Sequence, residues 1–331
     1  MRAAFAAVPG LLLLCSLLAA QPSLPLIIDT DCGSDDLMAI AFLLSRPDVR
    51  IEAIAVDNGL AHVRAGASNV LRLLELGGHG EVPVYIGRDT PMRGQRAFPD
   101  AWREISDTLL RDLKIPPAHH APQTQPAADY LAARLLDHSR PVRILALGPL
   151  TNFGEALERA PQILGGVEMV IMGGAIRVPG NLGDGDFKTD NRTAEWNLFV
   201  DPWAAKLVFA SGARLRLVPL DATQRVPINA QFLRELKSAA RTRLGRFVTG
   251  ILDRERVLIE QGASYAWDPL AAVTLVEPSV APMTPLAIDV EQNAPQDGRT
   301  AEVNGAANAG VALDADPAVF RKTFLSALAG K

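Results

Sequence analysis

The sequence predicts an α/β protein built on an open, mostly parallel sheet with helices on both faces. Three observations lead there. Short apolar runs rich in branched residues recur along the chain: LPLIID (24–29), RIEAIAV (50–56), PVYIG (83–87), VRILALG (142–148), VEMVIMGG (167–174) and LRLVPL (215–220). Each stops at Gly, Pro or Asp, as buried strands do. Segments of helical periodicity lie between most of them, among them DLMAIAFLLS (36–45) and GASNVLRLLEL (66–76). Strands that are apolar on both faces and joined by helices assemble into parallel sheets.

Ahead of the first strand, Arg2 precedes VPGLLLLCSLLAA (8–20), which ends in small residues before Gln21 and Pro22. That pattern predicts a secretory signal over 1–20, cleaved after Ala20, because the apolar run is shorter than the ~20 residues a membrane span needs. Cys15 follows Leu14, unlike a lipoprotein cysteine, so the expectation is a soluble exported protein, periplasmic or secreted. Cleavage leaves Cys32 alone, which rules out an intramolecular disulfide and any cysteine-based metal site. The net charge of −4 and the lack of a long basic run argue against nucleic acid or an anionic membrane as partner. Further along, KIPPAHHAPQTQP (114–126) reads as a surface loop and 222–266 as a helical excursion over the sheet edge. No linker or repeat divides the chain, so 21–331 is expected to form one domain.

In such sheets ligands bind beyond the carboxyl ends of the strands. The positions to inspect are therefore Asp29–Asp36, Asp57-Asn58, Gly148–Asn152, Gly173–Asn181 and Asp221. The first of these, DTDCGSDD, crowds Asp29, Asp31, Asp35 and Asp36 into one turn. They repel one another unless something positive sits among them. Helix capping accounts for one or two acids, not four. A strand followed by Asp-x-Asp also suits phosphatases of the haloacid dehalogenase type, but those usually carry Thr or Val where this chain has Gly33. A hard cation such as calcium, which takes several oxygen ligands in a loose geometry, answers the repulsion directly.

DTDCGSDD resembles the DTDPGxDD hallmark of the nucleoside hydrolase family, with Cys32 in place of the proline. The likeness continues in order through LGPLTN (147–152), MGGAIRVPGN (172–181), TAEWNLFVDP (193–202) and WDPLAAV (267–273), from Leu24 to the last helix. The resemblance implies a Rossmann-like nucleoside hydrolase fold that cleaves N-glycosidic bonds. It also implies a calcium ion held by Asp31, Asp36, Asp268 and the backbone carbonyl of Thr151, with ribose hydroxyls and a water completing the shell. Asp31 would then act as general base towards that water. Asp35 would bind the ribose hydroxyls, and Asp29 would support the turn. Asn181, Glu195 and Asn197 match the family's ribose contacts, with Asn191 as an alternative to Asn181. Simpler roles exist for several of these: Asp268 and Thr151 as helix caps, and the 180–193 loop as a plain turn.

The side facing the base is divided within the family. Members that accept inosine and uridine alike often carry a histidine just before the late aspartate, where this chain has Trp267. A tryptophan there, with Trp102 in FPDAWRE (98–104), resembles the purine-specific branch, in which two indoles enclose the base. Either ring could instead belong to the core. Asp57, or its neighbour Asn58, matches an acid that hydrogen-bonds the base. The five histidines fall on loops or polar faces, and His62 is the one nearest a strand end. The expectation is a calcium-dependent purine ribohydrolase acting on small nucleosides, assembled as a homodimer or homotetramer. Its competitors are a pyrimidine, broad-specificity or modified-nucleoside hydrolase, and a non-catalytic nucleoside- or ribose-binding protein; retention of Asp31 speaks against the last.

Overall fold

A computed structural model describes residues 25–183 and 187–330. The expected signal segment, 1–20, lies outside the described residues. Ten strands are present among them: β1 (Pro25–Thr30), β2 (Arg50–Val56), β3 (Val84–Ile86), β4 (Arg143–Ala146), β5 (Glu168–Met172), β6 (Arg214–Val218), β7 (Met283–Leu286), β8 (Ile288–Val290), β9 (Thr300–Glu302) and β10 (Ala309–Ala312). Eight form one sheet in the order β3-β2-β1-β4-β5-β6-β10-β7, with every neighbour parallel except β7, which runs antiparallel to β10. β8 and β9 make a separate antiparallel ribbon. The predicted open, mostly parallel α/β sheet is what forms.

Alternation along β1 divides the core. Leu26 and Ile28 pack with the helices Ser34–Leu44, Val63–Gly77, Arg243–Arg254, Trp267–Val276 and Pro317–Ala329. Ile27 points the other way, into the layer of Ala127–Leu135, Thr151–Arg159 and Pro202–Phe209. Side chains two apart share a face of a strand, so this strand is buried on both sides. The helix Ser34–Leu44 is buried along nearly its whole length, which explains why its sequence is apolar all round. The 222–266 stretch does fold as helices, Ala230–Ala239, Arg243–Arg254 and Arg256–Glu260, and 114–126 carries no regular element. No helix among the described residues is long and apolar enough to cross a membrane.

Three helix starts differ from the sequence expectation, and the differences bear on the site. The first helix begins at Ser34 rather than Asp36, because Asp36 itself caps it by accepting from the Gly33 N–H at 2.9 Å. The late helix begins at Trp267, so Asp268 sits inside its first turn instead of capping it. Thr151 likewise opens its helix rather than preceding it. Acids in a first turn face the positive end of the helix dipole. Because β2 and β3 lie to one side of β1 and β4, β5 and β6 to the other, chain order reverses at β1. The acidic turn therefore stands over the sheet's switch point, where a crevice opens.

Candidate active site

The turn after β1 is built around Asp31. Its Oδ2 accepts from the Leu60 N–H at 2.8 Å, and the residue is 3% exposed. Two glycines close on it from the ends of β2 and β4. A Cβ on Gly59 would stand 2.2 Å from Asp31 Oδ2, and one on Gly148 would stand 2.8 Å from Asp31 Cβ. No side chain fits at either position. Cys32, next in the turn, lies at φ 63°, which a proline ring does not permit, so the replacement noted in the sequence comes with a left-handed turn.

Asp35, Asp36 and Asp268 each bring a carboxylate oxygen within 4.8 Å of the others. Asp36 is the hub: one oxygen accepts from Gly33 N–H, the other from Thr30 Oγ1 at 2.5 Å, and both Asp31 and Asp268 meet its carboxyl. Asp35 thus joins the carboxylate cluster, in addition to the ribose role the resemblance implies. Thr151 is fully buried, with Oγ1 donating to Asp201 at 2.9 Å and accepting from Asn58 Nδ2 at 2.8 Å. Capping accounts for one oxygen of Asp36 and for nothing on Asp268, whose Oδ1 is buried without any partner. An orphaned carboxylate oxygen among three other acids is a donor set awaiting a positive charge, and all-oxygen donors suit a hard cation. Asp35, Asp36 and Asp268 thus offer a donor set that fits a hard cation.

Burial, and after it the neighbouring acids, pushes the carboxyls of Asp31, Asp35 and Asp268 well above the ordinary range. Burial likewise raises Asp29, to about 7, against hydrogen bonds that pull it down. A carboxyl whose pKa is higher folded than unfolded binds more protons in the folded state. Its stabilising contribution is complete below the unfolded value and is lost as pH rises through the folded one. The metal-free protein is therefore expected to melt at least about 3 °C lower at pH 8 than at pH 5, the loss for Asp29 falling between 3.8 and about 7. Calcium should remove that slope. Melting curves in chelator and in calcium test this; a melting temperature that rises with pH in chelator would contradict it.

Beneath the cluster runs a buried polar network that the sequence did not reveal. Asn152 Nδ2 donates to Asp29 at 2.9 Å, and the Asn152 N–H to Asp57 at 3.2 Å. Asp57 also accepts from the Asn58 N–H and Nδ2, so both of its oxygens are taken by protein donors. Asp201 ties in Thr151, the Met92 N–H at 2.7 Å and the Ala204 N–H at 3.0 Å. Asp201 is the next-to-last residue of the TAEWNLFVDP segment, which is the one signal that pointed to it.

On the ribose side, Glu195 caps the helix Trp196–Val200. Its oxygens accept from the N–H groups of Asn197 and Gly174, both at 2.9 Å. Gly174 lies at φ 82°, the conformation that aims its N–H at the carboxylate. Burial raises the Glu195 carboxyl, offset in part by those donors. Asn197 Nδ2 donates to the Leu147 carbonyl at 2.7 Å. Asn181 Oδ1 accepts from the Trp196 N–H at 3.1 Å, whereas Asn191 spends its Oδ1 on the 193–194 turn and its Nδ2 on the Asp297 carbonyl. Of the two, Asn181 has no acceptor for its amide donors among the described residues.

Trp102 lies at the edge of an aromatic cluster, its ring 5.5 Å from that of Trp196 and inclined at 61°. Trp267 meets Tyr265 at 5.8 Å and 60°. Both indoles are only partly buried, each packed on one side by a partner ring the sequence reading had not singled out. His62 pairs through Nδ1 with Asp107 at 2.7 Å, which ties it to the end of the Trp102 helix, Asp100–Asp107.

Comparison with known proteins adds the following. Residues 26–322 match the family profile described as inosine-uridine preferring nucleoside hydrolase. Uridine nucleosidase 1 of Arabidopsis thaliana is 34% identical over 217 residues, which is 64% of this chain and 60% of that protein's own length. A plant nucleoside hydrolase, the PpNRh1 enzyme, superposes with a TM-score of 0.80 at 28% identity, covering 93% of this chain and 99% of its own. The purine-preferring ribonucleoside hydrolase from Gardnerella vaginalis gives 0.79 at 26%, covering 92% and 98%.

Proposed function

The chain belongs to the inosine-uridine preferring nucleoside hydrolase family, and on that premise we propose that it is a calcium-dependent N-ribohydrolase of purine nucleosides. The observation that carries the metal half of this reading is the partnerless Asp268 Oδ1 inside the carboxylate cluster. Asp31, Asp36, Asp268 and the Thr151 carbonyl would hold the ion. When bound, calcium supplies the positive charge that keeps these carboxylates ionised and makes a neighbouring water more acidic.

Asp31 is the group that takes a proton from the attacking water. Held by the Leu60 N–H and walled by two glycines, it has little freedom to turn away. Asp35, partly exposed at the mouth of the cluster, accepts from the ribose hydroxyls. Asn181 and Asn197 orient the sugar. Glu195 sets a buried negative charge beside a ring that becomes cationic as the glycosidic bond breaks. Trp102 and Trp267 stack on the base, a contact worth roughly 1–3 kcal/mol for each base–ring pair. Asp57 supports the base side from beneath, since its oxygens are engaged by Asn58 and Asn152.

Uridine is the second reading, favoured by the name and identity of the Arabidopsis relative. One assay separates the two: ribose release from inosine and from uridine, with and without a calcium chelator. The expected result is chelator-sensitive release from inosine, at least about tenfold faster than from uridine, as the loss of one stacking contact would give. Faster release from uridine would move the assignment to pyrimidines. Release from neither in excess calcium would leave a nucleoside-binding role. Export to the periplasm or beyond, a single domain over 21–331, and assembly as a homodimer or homotetramer belong to the same proposal.

A further inference from the structure

Asp31 stands beside the like-charged Asp36, and its carboxylate has one hydrogen-bond donor among the described residues, the Leu60 N–H. The direction of that carboxylate therefore depends on where residues 58–60 lie. Backbone bonds hold the two ends of this turn. The Asp57 N–H donates to the Thr30 carbonyl at 2.8 Å, and the Ala61 N–H to the Asp31 carbonyl at 2.9 Å. Between them Gly59 has no side chain, and Leu60 has only an apolar one. The polar side chain that ties the middle of the turn to another part of the molecule is Asn58.

Asn58 is buried, and its Nδ2 donates to Thr151 Oγ1 at 2.8 Å and to Asp57 at 3.1 Å. A hydroxyl has one proton to give. Because Asn58 donates into Thr151, the Thr151 proton goes the other way, to Asp201 Oδ2 at 2.9 Å. Asp201 is fully buried and fixed in turn, by the Met92 N–H on the same oxygen and the Ala204 N–H on the other. One line of hydrogen bonds thus runs from the start of the helix Pro202–Phe209, through Thr151 and Asn58, to the turn that grips Asp31. Valine has nearly the shape of threonine, so packing alone does not call for a hydroxyl at 151.

We propose that the Thr151 hydroxyl, with Asn58 and Asp201 on either side of it, is the positioning group that holds the 58–60 turn and, through the Leu60 N–H, the Asp31 carboxylate in line for the attacking water. The inference rests on Asp31 being the base. It gives Thr151 a side-chain role separate from its carbonyl, and it is indifferent to which base the nucleoside carries.

Loss of the hydroxyl leaves Asn58 Nδ2 with Asp57 alone, and the middle of the turn loses its outside anchor. The Leu60 N–H then drifts from Asp31, and the carboxylate swings away from its neighbour Asp36. A reacting group displaced by about 1 Å loses on the order of 10²-fold in rate. The groups proposed to bind ribose, Asp35, Asn181, Glu195 and Asn197, form no part of this line and stay where they are. The signature of the relay is therefore a loss in kcat with KM preserved.

The test is a double-mutant cycle in excess calcium, on whichever of inosine and uridine the wild type cleaves faster. Thr151→Val removes the hydroxyl while keeping the shape and the carbonyl, and Asn58→Ala breaks the same link from its other end. Each should lower kcat by about tenfold or more and move KM by less than about threefold. Thr151→Ser, which restores a hydroxyl, should recover most of the loss. In Asp31→Asn, where the base is already gone, adding Thr151→Val should cost less than about threefold further, because the hydroxyl acts through Asp31. Additive losses would overturn the proposal by making Thr151 an independent contributor. A raised KM with unchanged kcat in Asn58→Ala would overturn it by making Asn58 a substrate contact. A lowered melting temperature with unchanged kcat would leave these residues a role in stability alone, and so overturn it too. If the wild type cleaves neither nucleoside, or Asp31→Asn keeps kcat within about tenfold of it, the base assignment itself falls and this inference with it. Should Thr151→Val fail to fold, Asn58→Ala in the same two backgrounds carries the test.

Discussion

Asp31→Asn is expected to lower kcat by about 10³-fold or more and, in calcium high enough to fill the site, to change KM for inosine little. The side chain keeps its shape and can still take the Leu60 N–H, so the glycine walls at Gly59 and Gly148 are undisturbed. What disappears is the proton acceptor, together with one charged ligand of the proposed ion, which is why the assay is run in excess calcium. Ribose release under saturating substrate measures kcat, and titration with a non-hydrolysed nucleoside analogue measures binding. A variant within tenfold of wild type in kcat would remove Asp31 as the base. Loss of analogue binding with unchanged residual chemistry would make it a ligand holder only.

Asp268→Asn should act in opposite directions on the two forms of the protein. Without metal, the wild-type protein keeps a buried carboxylate with one oxygen unpartnered beside Asp35 and Asp36. Such a group costs about 1–3 kcal/mol. A neutral amide relieves that repulsion, so the metal-free variant should melt higher than metal-free wild type. With calcium the order should reverse, because removing a charged ligand is expected to weaken calcium binding by at least about 100-fold. Calcium titration by calorimetry and paired melting curves test both halves. A variant less stable in both forms would make Asp268 a structural residue, and unchanged calcium affinity would exclude it from the metal site. Groups kept for function at the expense of stability show this crossing.

How much of this was legible in the sequence follows from the range of each interaction. Four aspartates in one turn announce themselves, since no local arrangement neutralises them. The motifs from LGPLTN to WDPLAAV were legible because each sits at a strand end or the start of a helix, where Glu195, Asn197 and Asp268 are found. The helix starts were misplaced because their caps are unusual. Gly33 has no side chain to advertise a cap, and Asp36 reaches back to do the work from inside the helix. Leu150 and Ala266 precede their helices without any capping side chain.

Long-range pairing was invisible. The Asn58–Thr151 contact joins residues 93 positions apart, and Arg96–Asp297 joins residues 201 apart. No periodicity or motif encodes such pairs. Asp57 is a further case: its oxygens accept from Asn58 and from the start of the Thr151 helix, pairings that its place at a strand end does not announce. Trp196 shows another, since within the AEWN segment it reads as part of a binding motif, yet it is the buried centre around which Phe98, Trp102, Phe187 and Phe199 pack.

The reversal of chain order at β1 has a consequence for how such a protein can change over evolutionary time. Of the proposed ribose contacts, Asp35 hangs from β1, and Asn181, Glu195 and Asn197 from the connection between β5 and β6. The arginine-bearing connection 87–103 hangs from β3, at the other end of the order. On the proposed reading that connection carries Trp102, so replacements within it would bear on the base and leave the ribose contacts in place. Transplanting 87–103 between relatives of different preference should therefore carry the preference with it, provided Asp297, the distant anchor of Arg96, travels along.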